Sequence, residues 1–125
     1  MDGLHEDLNR ILQKQPLEMN PEREAELETL PQQIASQKEW DLYRMRNDSI
    51  VVDYFQGQFR NRMTCLTCNK TSTTYNTFMY LSLPIPSGRA SKATLQQCLD
   101  AFVKEEVMEK ADAWWVHDSI IHYFH

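Results

Sequence analysis

The 125-residue sequence has little basic charge, little glycine and no long apolar run. Its 13 Lys and Arg face 18 Asp and Glu, a net charge of −5, which argues against the basic surface that nucleic-acid binding requires. No apolar stretch approaches the roughly 18 residues of a membrane span, and the acidic N-terminus lacks a signal-peptide core. The sequence therefore predicts an intracellular, cytoplasmic protein with no nucleic-acid partner and no membrane span.

Cysteine is also scarce, with three residues in the chain. An odd count that includes one close pair, Cys65-Leu66-Thr67-Cys68, is typical of metal or thiol chemistry in a reducing compartment rather than of a disulfide framework. A two-residue spacer lets both thiolates reach one zinc ion. Cys65 and Cys68 are therefore the candidate metal ligands. Because a closed structural site needs four ligands, they predict half a zinc site.

The remaining cysteine and the four histidines give no catalytic centre. Cys98 falls on the apolar face of a predicted helix and is interpreted as a small core residue. His5 is predicted to be solvated on the polar side of the first helix, while the tail offers possible further metal ligands in His117, His122 and His125. A cysteine nucleophile needs a nearby imidazole base, and none can be assigned. We predict no catalytic and no cofactor-binding residue in this chain.

Apolar spacing and capping residues predict several helices. Residues 2–13 carry a single apolar stripe, and Thr94 to Gln97 form a capping box at the start of a helix over 94–108. Asn20 followed by Pro21 predicts the start of a short acidic helix. The acidic stretch 14–35 that contains it has two interpretations, a solvated surface insertion or an acidic docking surface.

The middle of the chain contains further helix signals. Ser36 with Glu39 reads as a capping box ahead of a helix that contains Trp40. Residues 50–55 fit one helical face with Asp48 or Ser49 as cap, although their β-branched side chains leave a strand possible. Gly57 is predicted to end this helix.

Two extended segments are predicted around the cysteine pair. Residues 58–64 and 70–83 alternate, and the second segment is rich in Thr, Tyr and Phe, which favour strands. They are expected to form a long antiparallel hairpin with Cys65 and Cys68 at its tip. Flanking helices complete an α+β fold class.

Five groups of residues, in fixed order and spacing, carry a resemblance to a known family. They are Asp2–Asn9, Asn47–Val51 with Phe55–Gln58, Cys65–Cys68, Phe78–Ile85, and Thr94–Asp100. Together they resemble the ubiquitin-specific proteases, a family of deubiquitinases with a papain-like cysteine protease fold. The resemblance covers about residues 2–115 and implies a partial catalytic domain. Its parts would be a thumb helix (1–13), an acidic variable insertion and helix (14–46), a fingers hairpin with the first zinc knuckle (47–92), a helix (93–110) and a divergent tail (111–125).

The resemblance implies a partner and an activity for the intact domain. In the family, the fingers grip ubiquitin, and a Cys/His/Asp-or-Asn triad cleaves the isopeptide bond that joins ubiquitin to a protein. The family's cysteine box would precede Asp2 and its histidine box would follow the tail, so no catalytic residue can be carried over. We expect ubiquitin or a ubiquitinated protein as partner through the fingers, and no catalysis by this chain alone.

The tail departs from the family pattern. Trp114 and Trp115 match an aromatic pair that precedes the family's second zinc knuckle, but Val116-His117-Asp118 replace the knuckle itself. Zinc is therefore expected in the intact domain, with a half-site here. The loss of register suggests a truncated product, a retained intron or an incomplete gene model. A non-catalytic module that binds ubiquitin or another partner stays an alternative, whereas the net charge and the lone knuckle disfavour a nucleic-acid zinc ribbon.

Overall fold

The computed structural model describes residues 1–18, 20–86 and 92–108, and the backbone of 114–116 and 119–124. Its helices are α1 Asp2–Leu8, α2 Pro21–Thr29, α3 Gln32–Arg44, α4 Ile50–Phe55 and α5 Leu95–Phe102; its strands are β1 Gly57–Thr64, β2 Thr71–Phe78, β3 Trp114–Val116 and β4 Ser119–Phe124. The predicted α+β class is confirmed. Among the described residues, no helix has the length and apolar character of a membrane span.

The chain divides into two compact units. Residues 1–61 and 73–80 form the first, and residues 62–72 and 81–125 form the second. The first unit contains α1 to α4, and the second contains α5, β3 and β4. The strands form one sheet in the order β2-β1-β4-β3, with antiparallel pairing of β1 with β4 and of β4 with β3.

Side-chain caps start α2 and α4 at the predicted residues. The Oδ1 of Asn20 accepts a hydrogen bond from the backbone N–H of Arg23 at 2.8 Å, and Pro21 occupies the first helical position, where its missing N–H costs nothing. Ser49 Oγ accepts from the Val52 N–H at 3.3 Å. Each cap satisfies a helix-end donor that would otherwise lack a partner. The prediction of a helix rather than a strand at 50–55 is confirmed.

Two helices are shorter in the structure than the spacing of their apolar residues predicts. The capping box of α5 is present, with reciprocal bonds between Thr94 and Gln97, but the helix ends at Phe102 rather than at 108. The first helix ends at Leu8 rather than at 13, because Asn9 takes an extended conformation and uses its side chain in tertiary hydrogen bonds. Local spacing overestimates both lengths.

The predicted capping box at Ser36 is wrong. The cap of α3 is Pro31, five residues earlier, and its φ of −53° suits a helix start. Ser36 therefore lies inside the helix, where its Oγ donates to the Gln33 carbonyl at 3.0 Å. The predicted proximity of Trp40 and Tyr43 is confirmed, since their rings stack with centroids 5.7 Å apart.

The prediction that His5 is solvated is also wrong. His5 is 5% exposed; its Nδ1 lies 2.7 Å from Ser49 Oγ and its Nε2 lies 3.2 Å from Asn47 Oδ1. Helix α1 packs against α4 through this polar side, whereas Leu4 and Leu8 of the apolar stripe are about half exposed. The buried imidazole thus has a partner on each ring nitrogen, as a buried polar group requires.

Asn9 makes a second connection between α1 and the loop before α4. Its Oδ1 accepts from the backbone N–H groups of Asp48 and Ile11, both at 3.0 Å, and its Nδ2 donates to the Arg46 carbonyl at 3.1 Å. The Arg10 N–H donates to the Asp48 carbonyl at 2.8 Å. A buried amide side chain therefore fixes a loop 37 to 39 residues away in sequence.

Gly57 has a packing role rather than the predicted role of ending a helix. Helix α4 ends at Phe55, Gln56 is extended, and Gly57 begins β1. A Cβ at position 57 would lie 2.6 Å from the ring of Phe78, closer than van der Waals contact permits. Strand β2 ends at Phe78 rather than at 83, since the chain bends at 79 and 80.

Replacement of His5 by Ala should destabilise the chain by about 1–3 kcal/mol, because it leaves the buried Ser49 hydroxyl and the Asn47 amide without their imidazole partner. Urea unfolding followed by Trp40 fluorescence measures the loss. The exposed Asp7→Ala on the same helix is the matched control and should change stability by less than about 0.5 kcal/mol. Equal midpoints for the two variants would contradict the role given to His5.

Candidate metal centre

Cys65 and Cys68 lie in the turn that connects β1 to β2, as predicted. The Cys65 N–H donates to the Lys70 carbonyl at 2.8 Å, and the Asn69 N–H donates to the Cys65 carbonyl at 2.9 Å. Asn69 has a φ of +56°, a left-handed conformation that Asn tolerates better than most residues. These bonds close a tight turn between the two strands.

Backbone N–H groups of this turn donate hydrogen bonds to the sulfur of Cys65. The Cys68 N–H donates to Cys65 Sγ at 3.4 Å. This bond holds the pKa of the Cys65 thiol below its usual value; burial opposes it, and the Thr67 N–H reinforces it. Cys65 is fully buried, whereas Cys68 is exposed. The arrangement therefore stabilises a thiolate at Cys65, and the thiolate is the form of cysteine that binds metals.

The further ligand candidates are not brought together with this pair. Among the described residues, no three His, Cys, Asp or Glu side chains are grouped to hold a metal ion. Cys98 is half-buried on α5, so its interpretation as a core residue is only partly right. His122 pairs by backbone register with Thr64, the residue before Cys65. His117 and His125 lie outside the described residues.

Sequence reasoning missed the part that Asn69 plays in this turn. The residue follows Cys68 directly, and its left-handed backbone lets the chain reverse into β2. Asn one position beyond a Cys-x-x-Cys pair between two strand-like segments is the signal that could have identified it, since Asn and Gly are the residues that favour such turns.

Comparisons with known proteins give consistent matches along the chain. The family model described as ubiquitin carboxyl-terminal hydrolase matches residues 1–119. Ubiquitin carboxyl-terminal hydrolase 4 of Candida glabrata is 44% identical over 116 residues, 92% of this chain and 13% of that protein. Its namesake in Saccharomyces cerevisiae is 42% identical over 116 residues, 91% of this chain and 12% of that protein. Ubiquitin carboxyl-terminal hydrolase 19 of Homo sapiens is 41% identical over 86 residues, 69% of this chain and 6% of the human protein.

The thiolate of Cys65 should form at a lower pH in the folded chain than in the chain unfolded by urea, where the pKa of a thiol is about 8.5. Ultraviolet thiolate absorbance of the wild type minus that of Cys65→Ser measures this titration in both states. Because the pKa of Cys65 is lower in the folded chain than in the unfolded chain, its thiolate stabilises the fold at pH values above the unfolded pKa. This stabilisation is lost as the pH falls through the folded pKa. Coincident titration curves in the two states would refute the N–H···S arrangement.

Proposed function

The chain belongs to the ubiquitin carboxyl-terminal hydrolase family, and we propose that it is part of the catalytic domain of a cysteine-type deubiquitinase. The match of the family model to residues 1–119 shows that the chain belongs to this family. The chain spans about an eighth of the length of the two fungal relatives. The proposal places α1 in the thumb and the hairpin of β1 and β2 in the fingers. The observation that supports it best is the Cys-x-x-Cys turn at the hairpin tip, inside the matched region.

In this proposal the hairpin contributes to holding ubiquitin, and the bond-breaking groups come from other parts of the longer protein. Isopeptide hydrolysis needs a thiolate nucleophile and an imidazole base within hydrogen-bond reach. Both ring nitrogens of His5 are already engaged by Ser49 and Asn47, so this imidazole is not available as a base. The chain alone is therefore proposed to be catalytically silent.

Zinc is the proposed ligand of Cys65 and Cys68. The tight turn and the amide-stabilised sulfur suit a thiolate pair on one structural zinc ion, which would hold the hairpin tip in place and take no part in the chemistry. Two more ligands would have to come from outside the described residues. Support for this half-site is the pair of N–H···S interactions at Cys65.

A second candidate function is a non-catalytic module that binds ubiquitin or another partner. The engagement of His5 in the buried network favours it, because the imidazole that the described part of the chain contains has a packing role rather than that of a free base. In-frame coding sequence for a cysteine box upstream and a histidine box downstream would support the deubiquitinase proposal over this one.

The isolated 125-residue chain should not hydrolyse a fluorogenic amide at the C-terminus of ubiquitin, because no cysteine is paired with an imidazole base among the residues that the structure describes. A chimera of the Saccharomyces cerevisiae relative, in which residues 1–115 of this chain replace the matching segment, should hydrolyse it. The assay is fluorescence release at matched protein concentration.

Two outcomes would contradict this proposal. Turnover by the isolated chain that disappears in Cys98→Ser would show that a catalytic thiol had been misread as a packing residue. A folded but inactive chimera would favour the non-catalytic module. The unmodified relative and the same chimera with the exposed substitution Asp7→Ala serve as controls and should both be active.

A further inference from the structure

Helices α2 and α3 border an open groove of about 870 Å³. Its volume is within the range of ligand-binding clefts, and every residue that lines it lies between positions 20 and 45. Its large apolar lining side chains are Leu27, which is buried, Leu30 and Leu42, which are half-buried, and Met45, which is exposed. Met45 is 69% exposed, so its thioether side chain is accessible to a ligand at the edge of the groove.

Two ion pairs connect the helices beside this groove. The guanidinium of Arg23 donates to both carboxylate oxygens of Glu39, at 3.0 and 2.6 Å, and both side chains are largely shielded from solvent. Lys38 pairs with Glu26. The bidentate geometry of the first pair fixes the spacing of the helices. All four charges are thereby neutralised within the groove wall.

Two further carboxylates line the groove and are not part of these ion pairs. Glu22 and Asp41 both line the groove, and within the part of the chain that the structure describes neither forms an ion pair. Asp41 accepts a hydrogen bond from the Gln37 amide at 2.8 Å, which leaves its charge in place. Residues 20–45 contain six acidic and three basic side chains. An apolar floor thus has an anionic rim.

We propose that this groove binds a basic amphipathic helix of a partner protein. Apolar side chains at helical spacing would enter the floor, and Lys or Arg at its edges would approach Glu22 and Asp41. All of the lining residues lie on or directly beside α2 and α3, so the groove offers helix faces rather than a strand edge to a peptide. A second copy of the chain is a poor occupant because each copy carries a charge of −5. The proposal does not depend on the deubiquitinase activity.

The test uses the 125-residue chain and a fluorescent peptide of Lys and Leu at helical spacing, about four turns long. A scrambled peptide of the same composition has equal charge without an apolar face. Fluorescence anisotropy should show saturable binding of the patterned peptide about tenfold tighter than that of the scrambled one. A peptide with Glu in place of every Lys should not bind.

Substitutions of groove-lining residues test whether the peptide binds in the groove. The double variant Glu22→Gln, Asp41→Asn should weaken binding about tenfold at low salt and much less at high salt, because exposed charges are screened. Met45→Ser should weaken it at both salt concentrations. Glu24→Gln, which removes one charge from α2 outside the groove, is the matched control and should change affinity less than about twofold. Circular dichroism verifies that these exposed substitutions preserve the helices.

Three results would overturn the proposal. They are equal affinity for patterned and scrambled peptides, unchanged affinity in both the double variant and Met45→Ser, and an equal loss in Glu24→Gln. Sedimentation that shows a dimer dispersed by Met45→Ser would identify a second copy as the occupant instead.

Discussion

His5 of α1 and Asn9, the residue that ends this helix, fix residues 46–49 through buried and partly buried hydrogen bonds. Ser49, the partner of His5, also caps α4. Helix α4 runs to Phe55, and β1 begins two residues later. The position at which the hairpin starts therefore depends on a polar contact between residues 44 positions apart. Because an unpaired buried polar group is costly, this contact specifies one arrangement of the loop.

Charged residues around the same loop reinforce this arrangement. Asp48 lies 2.8 Å from Arg44 and 3.2 Å from Arg10, and Arg44 also lies 2.9 Å from Asp53. The hydrogen bond from Arg44, and then that from Arg10, hold the pKa of Asp48 below its usual value. These side chains are partly solvent-exposed, so each pair contributes little by itself. The buried amide and imidazole bonds, rather than the ion pairs, are the main constraint.

Features set by neighbouring residues could be predicted from the sequence, and features set by distant partners could not. The caps at Asn20, Ser49 and Thr94 each depend on a backbone donor three residues away, so the sequence predicted them correctly. The burial of His5 depends on the distant Asn47 and Ser49, although the i, i+4 spacing of His5 and Asn9 was an available signal. The capping box predicted at Ser36 was wrong because α3 already starts directly after Pro31.

The candidate metal site shows the same division. The hairpin and the position of Cys65 and Cys68 at its tip follow from strand-like alternation interrupted by a Cys-x-x-Cys turn. The N–H···S bonds that favour a thiolate, and the contrast between a buried Cys65 and an exposed Cys68, depend on the three-dimensional geometry of the turn and appear only in the structure.

We propose that this chain contributes half of a metal site. A complete four-ligand zinc site is worth on the order of 10 kcal/mol or more of apparent binding free energy, which two thiolates do not provide. Zinc analysis of the purified 125-residue chain after dialysis against a mild chelator tests this half-site. We expect zinc far below one equivalent. Stoichiometric zinc that is lost in Cys65→Ser would contradict it and show that the chain completes the site by itself.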